Sequence, residues 1–476
     1  MKRIVALAVF SCLGIGAVWA QYTVLSNFDT INGMAPQGDL IISGTTLYGM
    51  TTYGGWHNKG CVFSVHTDGT HYNKLKDFDS TGTENPTGSL LFYAGKLYGI
   101  AAYGGLKGMG CIFSVDTDGT KFTDLLDFNG KNGSYPQGSL IDSGNVFYGM
   151  TQDGGTNNGG IVFSVLPDGS GLTNLVNFND TNGFYPSGNL TVSGTVLYGM
   201  CRNGGEYGLG SIFSVNTDGT NMDTLLTFNG LNGQFPTGSL TLSGNVLYGM
   251  TVSGGILNDG VAFSIHTDGT GFTKLMDFTG ANGENPTGSL TISGNVLYGM
   301  TFGGGANGDG CMFSVHTDGT GYADLFDFDG VNGGNPYGDL LLSGTTFYGM
   351  TSMGGSTYAS PGVSAGTGGD GLVFGYGLPT GVRDFSRPDL GLNLYPNPAS
   401  SVLYYTISVS SATDIPSGAR MNILDIPGRV VSSEVVQVNA GSNRYAEDVS
   451  ELSSGVYFLQ ISMPDGTSKQ MKFVVK

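Results

Sequence analysis

Catalysis and metal binding need titratable or nucleophilic groups that can converge, and this 476-residue chain offers few of them at spacings that allow it. Its histidines are His57, His66, His71, His266 and His316. His66, His266 and His316 occupy one position of a repeated pattern, so they fall in different structural units and cannot close on one metal ion. No Ser-His-Asp arrangement follows from the remaining two. The segment Asp116-Thr-Asp118-Gly119 begins like a calcium loop but lacks the longer alternation of acidic residues that such loops use. Its Asp-Gly pair recurs in copies without the first aspartate, which reads as a hairpin turn. Glu84, Glu206 and Glu284 are loop carboxylates, yet glycoside hydrolysis needs two carboxyl groups at a set separation and no pair stands out. We therefore assign no catalytic residue, no metal ligand and no cofactor from the sequence.

Recognition chemistry is better represented. Trp56, His57 and Tyr207 lie in glycine-flanked segments, and Tyr135, Tyr185 and Phe235 each precede a proline. Asn and Asp side chains surround them. Flat aromatic faces beside hydrogen-bonding groups suit sugar rings, and binding residues concentrate on loops held by rigid scaffolds. The alternative is that the same aromatics cap the structure hydrophobically. Ser356 to Asp370 is an insertion in the last copy, long enough to cover the mouth of a central channel.

The elements that would position these residues come from an internal repeat. LYGM or a close variant begins at Leu47, Leu97, Phe147, Leu197, Leu247, Leu297 and Phe347, seven copies spaced by 50 residues. A period of this length points to radial or linear arrays of one supersecondary unit. Each copy contains four strand signals: GSLxxS, LYGMT, xFSV and LxDF. Ser-Gly and Asp-Gly supply the positive-φ residue of tight hairpins, and no 3.6-residue period suggests helix. The expected fold is all-β, a seven-bladed β-propeller over residues 21–379 followed by a small C-terminal β-sandwich. The last copy lacks an LxDF strand, whereas Tyr22 to Phe28 form an orphan one, so the chain start should complete the final blade and remove an open edge. Tyr48, Phe63, Phe78 and their counterparts are expected to stack between blades. The mid-strand glycines at Gly49, Gly199 and equivalent positions imply a close approach by the adjacent blade.

The Gly-Gly pair after the second strand resembles kelch-type propellers. The YGxTxxGGxxxxGxxFSVxTDGT frame, over roughly residues 40–376, more closely resembles the GloVer tandem repeats of bacterial exported proteins, a resemblance that implies no particular activity. The TDGT box is also similar to the Asp-box of sialidases, but Asp68 and Gly69 are adjacent here and Arg202 is the only arginine of the repeat region.

At the N-terminus, Lys2 and Arg3 precede an apolar run from Ile4 to Val18, with small residues Val18 and Ala20 before Gln21. Residues 1–20 read as a secretory signal peptide. A lipoprotein reading at Cys12 is disfavoured by Phe10 and by the run continuing past it. After a linker at 380–392, residues 393–476 carry the YPNP start with Pro396, Asn397 and Pro398, a turn with Gly428 and Arg429, and an SGVYFL hairpin with Gly455 and Tyr457. They end with Lys472 and Lys476. This module resembles the type A sorting domain of the type IX secretion system of Bacteroidetes. The resemblance implies the type IX machinery as a partner and export through the periplasm to the outer surface or the medium.

Charge narrows the partners. Residues 21–379 hold nine basic against 28 acidic side chains. Such a surface cannot displace the counterions of nucleic acid, which excludes it and anionic membranes as partners. No later stretch is apolar enough to be a transmembrane helix, and a monomer is expected. Cys61, Cys111 and Cys311 share a position that elsewhere holds Ile161, Ser211 and Val261, so buried free thiols are favoured over disulfides. The leading functional expectation is a non-catalytic binding or adhesion module, with an extracellular glycan as candidate ligand. A secreted carbohydrate-active hydrolase or lyase and a purely structural surface protein are the alternatives.

Overall fold

A computed structural model describes residues 21–79, 82–356, 369–378, 391–395, 398–409, 419–424, 430–438, 441–450, 452–462 and 468–476. The chain divides into two compact units, Met1–Pro379 and Thr380–Lys476. Its described elements are all strands. The signal-peptide residues, most of the 356–370 insertion and the 380–390 part of the linker lie outside the described residues.

The described residues of the first unit form seven four-stranded antiparallel sheets and a small two-stranded one, Thr83–Glu84 with Tyr103–Gly104. In the first sheet Ile41–Ser43, Thr46–Thr51, Cys61–His66 and Asn73–Asp77 pair in chain order. The Asp-Gly box makes the turn between the last two. Gly69 adopts φ +80°, and Asp68 Oδ1 accepts the Thr70 backbone N–H (2.9 Å) and hydroxyl (2.6 Å). The same bonds recur at Asp118, Asp168, Asp218, Asp268 and Asp318. These hydrogen bonds hold the exposed Asp68 carboxyl below its ordinary range. The box is thus an Asx-type turn, and its carboxylates are already engaged.

The seventh sheet draws on both ends of the repeat region. Gln21–Asn27 pairs with Leu372–Gly377, which is followed in the sheet by Thr346–Thr351 and Leu341–Ser343. Tyr22 stands opposite Tyr376 and Val24 opposite Phe374. The orphan strand of the sequence therefore finds its partner 350 residues away, because an unpaired strand beside an unpaired edge leaves both rows of backbone groups unsatisfied.

Neighbouring sheets meet through phenylalanine. Phe78, at the end of the first sheet's last strand, lies edge-on to Phe113 of the second at 5.2 Å. Equivalent pairs join Phe128 to Phe163, Phe178 to Phe213, Phe228 to Phe263, Phe278 to Phe313 and Phe328 to Phe374. Phe28 to Phe63 joins the seventh sheet back to the first. These rings are fully buried. Burial is worth about 2–3 kcal/mol for each such ring, and the edge-to-face geometry adds roughly 0.5–1.5 kcal/mol per pair. Tyr48 joins the same apolar layer as Phe78 and Phe113, beside Met50 and Leu97.

Cys61, Cys111, Cys201 and Cys311 are free and buried. Burial pushes the Cys61 thiol up to about 11 and the Cys111 thiol up to about 12, which leaves them protonated small hydrophobes with little nucleophilic character.

The second unit contains a three-stranded sheet, Gly391–Tyr395, Val402–Val409 and Gly441–Asp448. A four-stranded sheet is ordered Val430–Val436, Ala419–Leu424, Gly455–Ser462 and Ser468–Val475. One core joins them, with Leu403, Tyr405 and Ile407 from the first and Met421, Ile423, Leu459 and Phe473 from the second. Alternate residues are buried along Val402–Val409 (Leu403, Tyr405, Ile407) and Ala419–Leu424 (Ala419, Met421, Ile423), as period-2 patterning requires.

The mid-strand glycines correct one expectation. Gly49 lies directly across from Phe63 of its own sheet, and a β-carbon there would come within 2.7 Å of the Phe63 ring. The crowding is internal to each sheet and not against the adjacent one. At Gly199 the obstacles are Phe213 and Leu190. Gly199→Val is expected to destabilise the repeat unit by about 1–3 kcal/mol through overpacking, read as a lower thermal midpoint; an unchanged midpoint would contradict this register.

Candidate functional site

Each repeat carries Pro-x-Gly followed by Ser, Asp or Asn at the start of its sheet, before the first strand in six copies and within Phe184–Ser193 in the fourth. The seven copies of the last residue form a ring. The backbone N–H of Asp39 donates to Ser89 Oγ (2.7 Å), Ser89 to Ser139 Oγ (2.6 Å), and Ser139 to Asn189 Oδ1 (2.6 Å). Asn189 donates to Ser239 Oγ and Ser239 to Ser289 Oγ, both at 2.7 Å. Ser289 donates to Asp339 Oδ1, and Asp339 returns to Asp39 Oδ1 at 2.7 Å. The preceding glycines allow this approach, because a β-carbon on Gly38 would overlap the Gly88 carbonyl oxygen, and so on round to Gly338 against that of Gly38.

The ring bounds a cavity of about 230 Å³, and Gln152, Tyr185, Arg202, Val252 and Tyr337 also line it. Two acidic residues, Asp39 and Asp339, adjoin in its wall. Burial, then the neighbouring Asp39 charge, pushes the Asp339 carboxyl up to about 8. Asp39 is also raised by burial, against the opposing hydrogen bonds from the Ser89 hydroxyl and the Asp339 N–H.

Around this cavity the repeats stop resembling one another. The residue before each ring proline is left-handed in all seven copies: Ala35, Asn85, Tyr135, Tyr185, Phe235, Asn285 and Asn335 have φ from 50° to 56°. Asparagine tolerates that region better than other non-glycine residues. It also has a local use, since Asn85, Asn285 and Asn335 donate their side-chain amides to the Thr52, Val252 and Phe302 carbonyls. Three consecutive copies instead hold aromatic rings, which gain neither benefit. Tyr185 packs on Phe184 with ring centroids 4.2 Å apart, and Tyr135 on Tyr103 at 5.3 Å. Pairing of Phe184 with Asn203 and of Pro186 with Cys201 puts Tyr185 across from the exposed Arg202. Tyr135 accepts the Gln152 backbone N–H.

The other predicted aromatics occupy a different place. Trp56 is 79% exposed, its N–H donates to Asp77 Oδ1 (3.2 Å), and its ring lies 5.8 Å from Lys74 Nζ. Asp77 belongs to the last strand of its sheet, so Trp56 and the exposed His57 stand on the outer rim and not at the cavity. Tyr207, 55% exposed, occupies the equivalent segment three repeats on. The aspartate of LxDF explains this segment's shape: Asp127, Asp277 and Asp327 accept the N–H of Leu106, Ile256 and Ala306 in the same way. Of the predicted aromatics only Tyr185 lines the cavity; Tyr135, Phe235, Trp56, His57 and Tyr207 are not among its lining residues. Gln152, Arg202 and the Asp39–Asp339 pair were missed as site residues. Their signal was present as departures from the repeat consensus at fixed offsets, Arg202 being the sole arginine of the region.

Glu84 is paired with Lys59 at 2.6 Å. Among the described residues no group of three or more His, Cys, Asp or Glu could hold a metal ion. In the second unit Pro398 is exposed, Gly455 opens its strand, and the Tyr457 hydroxyl donates to the Ser453 carbonyl (2.9 Å). Lys472 and Lys476 are exposed, and the Lys476 N–H donates to Ala399. Pro396, Asn397, Gly428 and Arg429 lie outside the described residues.

Comparison with known families gives two matches. Residues 15–210 and 193–384 match the Gloeobacter/Verrucomicrobia repeat. Residues 393–476 match the secretion system C-terminal sorting domain. No curated protein matches the sequence. Similar solved structures include a subtype N10 neuraminidase-like protein of A/little yellow-shouldered bat/Guatemala/060/2010, at 11% identity and TM-score 0.35, covering 63% of this chain and 97% of that one. An alpha-L-arabinofuranosidase from Clostridium thermocellum is similar at 15% identity and TM-score 0.30, covering 50% of this chain and 93% of that one. Similarity this weak carries no argument about activity.

Once residues 1–20 are absent, Trp56 is the only tryptophan. Its emission is expected at long wavelength and open to acrylamide quenching. A sugar that shifts this emission would bind at the outer rim; one that binds without shifting it places the site at the cavity mouth.

Proposed function

This chain belongs to the Gloeobacter/Verrucomicrobia repeat family and ends in a type IX sorting domain, and we propose that its repeats form a seven-bladed β-propeller acting outside the cell as a glycan-binding module. The sorting domain directs the protein to the cell surface or the medium and implies interaction with the secretion machinery. The propeller reading is supported by seven sheets whose Phe–Phe contacts and ring hydrogen bonds run from each repeat to the next and from the last to the first. A β-sandwich is the corresponding reading of the second unit, whose two sheets share one core.

The observation that carries the binding reading is the break in symmetry at the cavity mouth. Tyr135, Tyr185 and Phe235 occupy a left-handed position where asparagine is the better structural choice; Tyr185 lines the cavity with Gln152 and Arg202, Gln152 being bonded to Tyr135 and Arg202 lying across from Tyr185. Aromatic faces next to amide and guanidinium donors offer stacking and hydrogen bonds to a hydroxylated ring. Trp56 and Tyr207, exposed and three repeats apart, are separate outer aromatic surfaces. Binding is preferred to hydrolysis because Glu84 is paired with Lys59 and Glu206 and Glu284 stand in other repeats.

Tyr185→Asn separates a structural from a binding role. Asparagine suits the backbone there, so the thermal midpoint should hold or rise slightly, while retention on a glycan array should fall at least tenfold. Arg202→Ala should weaken retention about tenfold to a hundredfold, the range for a hydrogen bond to a charged group. A parallel reducing-sugar assay should register no release; turnover would favour a hydrolase, and no retention at all would favour a structural protein. Deletion of residues 393–476 should leave the protein in the periplasm, and normal export of that variant would defeat the sorting role.

A further inference from the structure

We propose that the Asp39–Asp339 junction is a pH-sensitive latch, which holds the two ends of the repeat ring together while the pair keeps one proton and loosens once both carboxyl groups are ionised. The ring needs only a side-chain acceptor at each position, and serine or asparagine supplies it at five of the seven. Aspartate appears at the other two, and those two are neighbours across the one junction that joins residues 300 apart in sequence. Elsewhere in the ring an aspartate would face a neutral partner.

The local contacts leave the pair without a compensating cation. Asp39 Oδ1 accepts the Asp339 N–H and Oδ2 the Ser89 hydroxyl at 2.7 Å, while Asp339 Oδ1 accepts the Ser289 N–H. The remaining charged side chain lining the cavity is Arg202, at the mouth in the fourth repeat. The other titratable groups of the lining are the phenols of Tyr185 and Tyr337, and it includes no Lys, Glu or His. Two carboxylates held at one junction with no cation between them repel when both ionise, so one retains its proton.

Burial and the Asp39 charge push the Asp339 carboxyl up to about 8, against roughly 3.9 in an unfolded chain. A carboxyl raised in this direction stabilises the fold fully below pH ~4, and that contribution is lost progressively as pH rises towards ~8. Within this window the folded ring holds a proton that the unfolded chain has released. The unfolding constant should therefore increase up to about tenfold per pH unit from this pair alone. The first strand, Gln21–Asn27, belongs to the seventh sheet on one side of the junction, so loosening here acts where the chain closes on itself.

The test is urea unfolding of the protein lacking residues 1–20, followed by near-ultraviolet circular dichroism of the buried aromatic rings from pH 5 to 8. Asp339→Asn and Asp39→Asn keep an amide oxygen for the ring, as Asn189 does for Ser139. The unaltered protein should lose stability with rising pH more steeply than either variant, by close to tenfold in the unfolding constant per unit, whereas Ser239→Asn should keep the steep profile. Parallel profiles for the unaltered protein and Asp339→Asn would overturn the proposal. Infrared titration provides an independent arm that needs no folded variant: a protonated carboxyl band should persist at pH 6 and fade near pH 8. Absence of that band at pH 6 would equally overturn it. Neither arm involves a glycan, so the latch and the binding reading can fail separately.

Discussion

Close fit between successive repeats is the constraint on which the rest of the structure depends. A single four-stranded sheet of this length cannot bury both faces, so each Phe of the LxDF segment must find the third strand of the next repeat. Seven Phe–Phe pairs satisfy this, including Phe28 to Phe63 between the seventh sheet and the first. At the centre the same fit brings backbone to backbone, which is why Gly38 and its counterparts carry no side chain and the next residue supplies an oxygen to its neighbour. Closure couples the ends of the repeat region: Gln21–Asn27 completes the seventh sheet and Asp339 reaches Asp39.

A scaffold held in this way can vary only where the fit does not depend on the side chain. The Asp-Gly turns, the LxDF aspartates and the buried Cys, Val and Ile site are engaged in structure in copy after copy. Their carboxylates are turn and loop anchors, which removes most of the chain's apparent acidic chemistry from consideration. Variation collects at the residue before the ring proline and at the strand ends facing it, and Tyr185, Gln152 and Arg202 among these line the cavity. Tyr135, Tyr185, Phe235, Gln152 and Arg202 lie in adjacent repeats, so one sector of a near-symmetric mouth is chemically distinct. Asp39 and Asp339 mark another place where the symmetry is broken.

The candidate site was only partly legible. Aromatic type picked out Trp56 and Tyr185 alike, but type alone cannot separate an outer rim from a cavity mouth. That distinction follows from which strand end each loop is tied to: Trp56 to Asp77 of the last strand, Tyr185 to the second strand beside Arg202. The left-handed backbone at Tyr185, which makes its aromatic ring informative, is likewise a property of the folded turn. Gly49 illustrates the same limit, because a mid-strand glycine signals crowding without naming the group that crowds it.

The sequence by itself determined the 50-residue period, the four strands of each unit, the positions of the turns, the pairing of the first strand with the last sheet and the separate export module. These follow from local chemistry, alternation and turn residues, which act over a few neighbours, and from counting copies. Tertiary structure alone decided what meets across the ring. Asp39 and Asp339 are unremarkable as isolated residues 300 apart; only closure brings them to one junction, because the energy of like charges depends on their separation in space and not on their separation along the chain.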